Sequence, residues 1–146
     1  MILKDLIFCR RIKYDSSDDN RKQINADGIM TALTPDVANG KYSFSVLFTI
    51  TGMDLGTNHE IHLCIHDLEE NEILQSEEID VPAVAEHIRS SDVRPVEYQD
   101  TGFSMDFRNV RFTGSGNYKV IVMVDGNSIG AKEVYVIGSD SDRPEG

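Results

Sequence analysis

Apolar and polar residues alternate with a period of two along most of the chain, and this periodicity limits its fold more than any other feature. From Lys41 to Met53 the apolar side chains fall on one face of the predicted strand, and Ser or Thr occupies most of the other face. A second run extends from Tyr118 to Val124. The turn-forming pairs Asn39-Gly40 and Asp125-Gly126 bound these runs. Short alternating runs with hairpin signals predict an antiparallel all-β fold rather than β–α–β units.

The number of such runs predicts an antiparallel β-sandwich of immunoglobulin-like type with about seven to nine strands, and a closed barrel is the alternative. Two weaker runs are each predicted as one strand. Gln23 to Leu33 is interrupted by Asp27-Gly28, a pair suited to a turn or bulge, and Ile73 to Val81 is an acidic strand expected at a sheet edge. At most one short helix is expected, near 82–89. A change of parity predicts a bulge or corner near Arg108-Asn109.

The C-terminal part of the chain resembles the final hairpin of many immunoglobulin-like sandwiches. It runs from Gly116 to Gly126 and continues through Ile129-Gly130 and Val134-Tyr135-Val136. Together with the opening Leu6-Ile7-Phe8-Cys9 ahead of a polar break, it is similar to a bacterial family of small, uncharacterised sandwich proteins. This resemblance implies the sandwich fold, and it implies no activity and no catalytic residue.

Tyr118 is the residue of this hairpin for which the sandwich pattern implies a specific hydrogen bond. A tyrosine corner would carry an Asp-like residue four positions earlier, where this sequence has Gly114. The sequence therefore departs from the pattern, although the Tyr118 hydroxyl could still reach a backbone group.

Length, charge and cysteine content narrow the function classes. With 146 residues, one domain is expected over 1–138, followed by a polar tail at 139–146. The formal charge of −11 argues against direct nucleic-acid binding, which needs clustered Lys and Arg. No run reaches the roughly 18–20 apolar residues of a membrane span, and the opening residues are not expected to act as a secretory signal. Cys9 and Cys64 are expected to be reduced thiols of a cytoplasmic protein.

Motifs typical of catalysis are missing from the sequence. It contains no Gly-x-Ser-x-Gly elbow and no glycine-rich phosphate loop followed by Lys. Paired acids such as Glu69-Glu70 are not expected to be enclosed by apolar residues that would raise a carboxyl pKa. We therefore expect a protein that is not an enzyme and needs no cofactor.

One row of side chains is a candidate metal site. Residues two apart on a strand share a face, so His62, Cys64 and His66 should line one row at about 7 Å per step. Imidazole and thiolate are zinc ligands, and His59 could supply a fourth. The alternative is that Ile61 and its neighbours face the core while the histidines lie on the outer face without a metal.

Acidic residues concentrate in one third of the chain. Residues 54–100 contain thirteen acids and two bases, which accounts for the whole net charge. This third could resist aggregation at a sheet edge or bind a basic partner. The residues expected to contact such a partner are Glu70, Glu72, Glu77, Glu78 and Asp80.

A small apolar patch is the third candidate site. If their strands are neighbours in one sheet, Leu47, Ile121, Met123 and Tyr135 would form an outward-facing surface suited to a homodimer.

The function that this sequence favours is a non-catalytic protein-interaction module that presents an acidic face at 54–100 to an unidentified, basic protein. A small metal- or ligand-binding protein that uses the histidine and cysteine row is the first alternative. An acidic mimic of nucleic acid, bound to a DNA-binding protein, is the second.

Overall fold

Two packed β-sheets account for most of the chain in the computed structural model. The described residues are 1–16, 22–34, 41–67, 69–83, 95–112 and 114–137. Within these ranges one turn of 3-10 helix covers Val96–Tyr98. The strands there are β1 (Ile2–Ser16), β2 (Lys22–Met30), β3 (Ala32–Leu33), β4 (Lys41–Thr51), β5 (His59–Asp67), β6 (Glu72–Gln75), β7 (Ile79–Val81), β8 (Asp100–Arg111), β9 (Gly116–Val124) and β10 (Asn127–Val136).

The strand order confirms the predicted β-sandwich. The first sheet has the order β2-β1-β4-β8, and all its neighbours are antiparallel. The second has the order β3-β10-β9-β5-β6, and β7 also pairs with β5. Its pairs are antiparallel except for the short parallel pair of β3 with β10.

The core lies between the inner faces of the two sheets. In β4 the alternation places Val46, Phe48 and Ile50 inside with no exposed surface. In β9 the inward side chains include Val120 and Val122, at 1% and 0% exposure. The period-two pattern of the sequence therefore corresponds directly to burial in these strands.

The segment from Gln23 to Leu33, predicted as one strand, is two strands in different sheets. β2 ends at Met30 and pairs with β1, and β3 begins at Ala32 and pairs with β10. A bend at Thr31 takes the chain from one sheet to the other. Leu33 is consequently fully buried between the sheets.

The segment from Ile73 to Val81, also predicted as one strand, is interrupted at its centre. β6 and β7 both pair with β5, and Ser76 lies between them. The Ser76 hydroxyl accepts a hydrogen bond from Leu63 N at 2.8 Å, and Ser76 N donates to Leu63 O at 2.8 Å. The Ser76 hydroxyl oxygen thus replaces one backbone acceptor of the ladder. The two short strands form an edge of the second sheet, as predicted.

Two predicted local features are confirmed. Asn109 has a φ of 55°, and the register of β4 with β8 shifts between Tyr42 and Phe44, which is the bulge expected near Arg108-Asn109. Asp125 and Gly126 have φ of 52° and 82°, as in the type I′ turn that Asp-Gly favours.

Tyr118 donates a hydrogen bond to the backbone carbonyl oxygen of Gly114 at 2.8 Å. The tyrosine therefore bonds to the backbone four residues upstream despite the absence of an Asp-like residue there. This bond fixes the entry of the chain into β9, where the ring also packs edge-on against Phe112.

Two predictions lie largely outside the described residues. Pro82 and Ala83 of the segment 82–89 are described and are not helical, and the rest of that segment is not described. The predicted tail at 139–146 also falls outside these ranges. In the part of the chain that is described, no helix has the length and hydropathy required to cross a membrane.

Candidate functional site

The outer face of the second sheet brings together a thiol, an imidazole and a carboxylate. Cys64 and His66 lie on β5, and Glu72 begins β6 beside them. Their possible ligand atoms, Cys64 Sγ, a His66 ring nitrogen and a Glu72 carboxylate oxygen, all lie within 4.8 Å of one another. We call these three residues the Cys–His–Glu cluster.

A β-bulge places Glu72 in this cluster. Ile65 pairs with Leu74, but His66 pairs with Glu72, so Ile73 is an extra residue on β6. Without this shift Glu72 would point to the opposite face from His66, because side chains alternate along a strand. Bulges commonly redirect one side chain in this way next to functional sites.

The hairpin turn before Glu72 is held by the Asp67 side chain. Its Oδ1 accepts hydrogen bonds from Glu69 N and Asn71 N, each at 2.9 Å. Its Oδ2 accepts a third from Asn71 Nδ2 at 3.2 Å. The bond from the Asn71 backbone is the main reason that the pKa of Asp67 is lowered. The turn therefore fixes where β6 starts, and with it the position of Glu72.

Both thiols are buried and free. Burial is the main reason that the pKa of each thiol is raised, and nearby carboxylates raise it further. For Cys64 that carboxylate belongs to Glu72, which acts through its charge and through a hydrogen bond. Cys9 lies in the first sheet, 0% exposed, with its Sγ 3.7 Å from the Ser45 carbonyl oxygen. A thiol with a raised pKa is a weak nucleophile, so neither residue resembles a catalytic cysteine.

The predicted row of His62, Cys64 and His66 is divided by the structure. His66 approaches Cys64, whereas His62 pairs across the sheet with Met123 and lies near Glu78. His59, the predicted fourth ligand, has the inward parity of Ile61 and is 7% exposed. The sequence did not identify Glu72 as a ligand, because its position beside His66 depends on the bulge in β6.

The His59 ring has three oxygen neighbours at one end of the sandwich, and one of them is the Thr57 hydroxyl at 3.2 Å from its Nε2. Its Nδ1 lies 2.7 Å from Asp125 Oδ2, and its Nε2 lies 2.6 Å from the Asp54 carbonyl oxygen. The Asp125 carboxylate and the Asp54 carbonyl oxygen are acceptors, so the ring donates to both of them when it is protonated. Burial would lower the pKa of His59, but these partners outweigh it and raise the pKa. The His59 bond lowers the pKa of Asp125.

Part of the acidic third, the strands β6 and β7, forms an exposed edge of the second sheet. We define the acidic edge by its exposed carboxylates, which belong to Glu60, Glu70, Glu72, Glu77, Glu78 and Asp80. The carboxylate oxygens of Glu60, Glu78 and Asp80 lie within 4.8 Å of one another. A hydrogen bond to Glu60 and the charges of Glu60 and Asp80 raise the pKa of Glu78. No salt bridge among the described residues involves any carboxylate of this edge.

The predicted apolar patch does not form one surface. Leu47 lies on the outer side of β4 in the first sheet, whereas Ile121 and Met123 lie on the outer side of β9 in the second. Tyr135, 48% exposed, pairs with Asn117 toward the far end of β9. The outer faces of the two sheets point in opposite directions, so the core separates Leu47 from the other three residues.

Comparison with known families matches residues 10–137 to a family of unknown function, DUF6941. The chain belongs to this family. The match includes the Cys–His–Glu cluster, the acidic edge and the His59–Asp125 pair of this DUF6941 member. Membership agrees with the expected similarity to an uncharacterised family. No curated protein matches the chain.

Proposed function

We propose that this DUF6941 member is a non-catalytic protein-interaction module that binds a basic protein surface through its acidic edge. The supporting observation is the crowding of Glu60, Glu78 and Asp80, whose carboxylate oxygens lie within 4.8 Å of one another. Like charges so close together repel, and the hydrogen bond to Glu60, followed by the charges of Glu60 and Asp80, raises the pKa of Glu78. A basic partner would relieve the repulsion and gain from the combined negative potential.

The absence of catalytic features among the described residues supports a binding role. The two thiols are buried and have raised pKa values. The buried Ser45 hydroxyl bonds to Asp106 Oδ1 at 2.5 Å, and neither group contacts a histidine that could act as a base.

The strand order supports the immunoglobulin-like interpretation. β1, β4 and β8 pair in one sheet while β10, β9 and β5 pair in the other, which is the division of strands A, B, E and G, F, C in that fold. The Tyr118 bond to Gly114 lies at the corner where such sandwiches carry their conserved tyrosine. Free thiols in both sheets support a cytoplasmic protein, and the family resemblance extends this proposal to a bacterial cell.

The test compares two variants with the same change of charge. Glu77→Gln, Glu78→Gln and Asp80→Asn together remove three of the six negative charges of the acidic edge and leave Glu72 unchanged. Asp5→Asn, Glu97→Gln and Glu133→Gln together remove three exposed charges elsewhere. We expect the first variant to melt at the same or a slightly higher temperature, because repulsion falls. We expect it to capture the partner from extracts of the source cells about tenfold more slowly at low salt.

The control variant should capture the partner almost as the unaltered protein does, and the difference should shrink at high salt. If the edge variant retains every co-purifying protein at low salt, the acidic edge serves solubility and resistance to aggregation only. Competition by DNA for the captured protein would identify the edge as a mimic of nucleic acid.

A further inference from the structure

The Cys–His–Glu cluster combines three different donors on one face of the second sheet. Zinc accepts mixed sulfur, nitrogen and oxygen ligands at about 2.0–2.3 Å, which places neighbouring donors of a tetrahedral shell about 3.3–3.8 Å apart. The donor atoms of Cys64, His66 and Glu72 already lie within 4.8 Å of one another. Small rotations of the side chains are therefore enough to close a coordination shell.

We propose that Cys64, His66 and Glu72 bind one zinc ion, with water as the fourth ligand. A thiolate and a carboxylate neutralise the two positive charges of the ion, and His66 binds as a neutral imidazole. On binding, the Cys64 S–H bond breaks, a Zn–S bond forms, and the proton passes to solvent. No change of oxidation state is involved.

The surroundings of the cluster suit such an ion. The bulge at Ile73 and the three hydrogen bonds that Asp67 accepts hold Glu72 beside the two β5 residues before any metal arrives. His66 also lines an open trough of about 340 Å³ with Asp67, Glu70, Lys119 and Ile121, so solvent water reaches this ligand. Three protein ligands and an accessible position are the arrangement of an open zinc site.

The proposal assigns zinc binding to His66 but not to His62, although the sequence predicted both as members of one row. His66 is a member of the cluster, whereas His62 lies two residues before Cys64 and faces the acidic edge. His62→Gln is therefore a matched control for His66→Gln on the same strand and the same face. The proposal does not depend on the function of the acidic edge, because the edge variant described above retains Glu72.

The experiment titrates purified protein, without a histidine tag and under reducing conditions, with Co²⁺ and then displaces the Co²⁺ with Zn²⁺. We expect one equivalent of Co²⁺, a thiolate-to-cobalt charge-transfer absorption, and visible bands of tetrahedral intensity. Cys64→Ser should abolish the charge-transfer absorption. His66→Gln and Glu72→Gln should each weaken Zn²⁺ binding at least about tenfold, and His62→Gln should leave it unchanged.

Three results would overturn the proposal. The unaltered protein could show no charge-transfer absorption, Cys64→Ser could retain it, or His62→Gln could weaken binding as much as His66→Gln. The last result would support the row of His62, Cys64 and His66 instead. If Cys64→Ser does not fold, the variants of the partly exposed His66 and the exposed Glu72 still decide the question.

Discussion

Replacing Val122 by aspartate should prevent this protein from folding. Val122 is 0% exposed at the centre of β9, with Leu63 opposite it on β5 and Gly130 on β10. A carboxylate there has no basic partner in the apolar core, and burying it costs several kcal/mol. That cost is comparable with the 5–15 kcal/mol that stabilises a typical domain. Val122→Asp should therefore be insoluble or show no cooperative thermal transition.

The neighbouring residue provides the control for this prediction. Met123 lies on the outer face of the same strand and is partly exposed. Met123→Asp introduces the same carboxylate one residue later, where solvent can reach it. We expect this variant to fold and to melt cooperatively, with a loss of no more than about 1 kcal/mol. A soluble, cooperatively melting Val122→Asp would contradict the assignment of the inner face of β9.

The His59–Asp125 pair should make the stability of the protein depend on pH. The raised pKa of His59 means that the folded state holds its proton more tightly than the unfolded chain does. Its contribution is therefore complete below the unfolded value of about 6.5 and is lost as pH rises through the higher folded value. The lowered pKa of Asp125 acts in the opposite direction, and its contribution disappears as pH falls below about 4.

His59→Gln should consequently destabilise the protein at pH 5 more than at pH 9. The expected difference in the free energy of unfolding is about 1–2 kcal/mol, because Asp125 is 42% exposed and solvent screens the charge. Asp125→Asn should reduce the pH dependence in the same way. Asparagine tolerates the positive φ of 52° at this turn, so backbone strain does not confuse the result.

Urea unfolding of both variants at pH 5 and pH 9 measures this difference. His62→Gln is the control, since His62 lies on the outer face of the same strand and has no part in the pair. Equal losses at the two pH values would show that folding does not raise the pKa of His59. A loss in His62→Gln that depends on pH to the same extent would also contradict the prediction.

Local chain chemistry was enough to predict the sandwich and several of its details. The alternation in β4 and β9 identified the buried faces, because side chains alternate along any strand wherever it pairs. Asp125-Gly126 predicted its turn, because glycine readily adopts a positive φ and aspartate tolerates one. The bulge at Asn109 was visible as a change in the parity of the apolar residues.

Features that depend on how strands pair were not predictable in the same way. The bend at Thr31 divides an apparently single strand between two sheets, and nothing in the local pattern specifies which sheet receives β3. Leu47 and Ile121 have the same outward character in sequence, but their strands belong to different sheets. Sheet membership is a long-range property, and alternation carries no information about it.

The sequence by itself determined the class of fold, the inner faces of the long strands and the segment of the chain that carries the negative charge. Tertiary structure decided which of these side chains meet. It turned His59 inward to Asp125, left His62 beside the acidic edge, and used one extra residue in β6 to place Glu72 beside Cys64 and His66. The physical reason is that burial follows a local period of two, whereas a one-residue shift in pairing moves a side chain to the opposite face of the sheet.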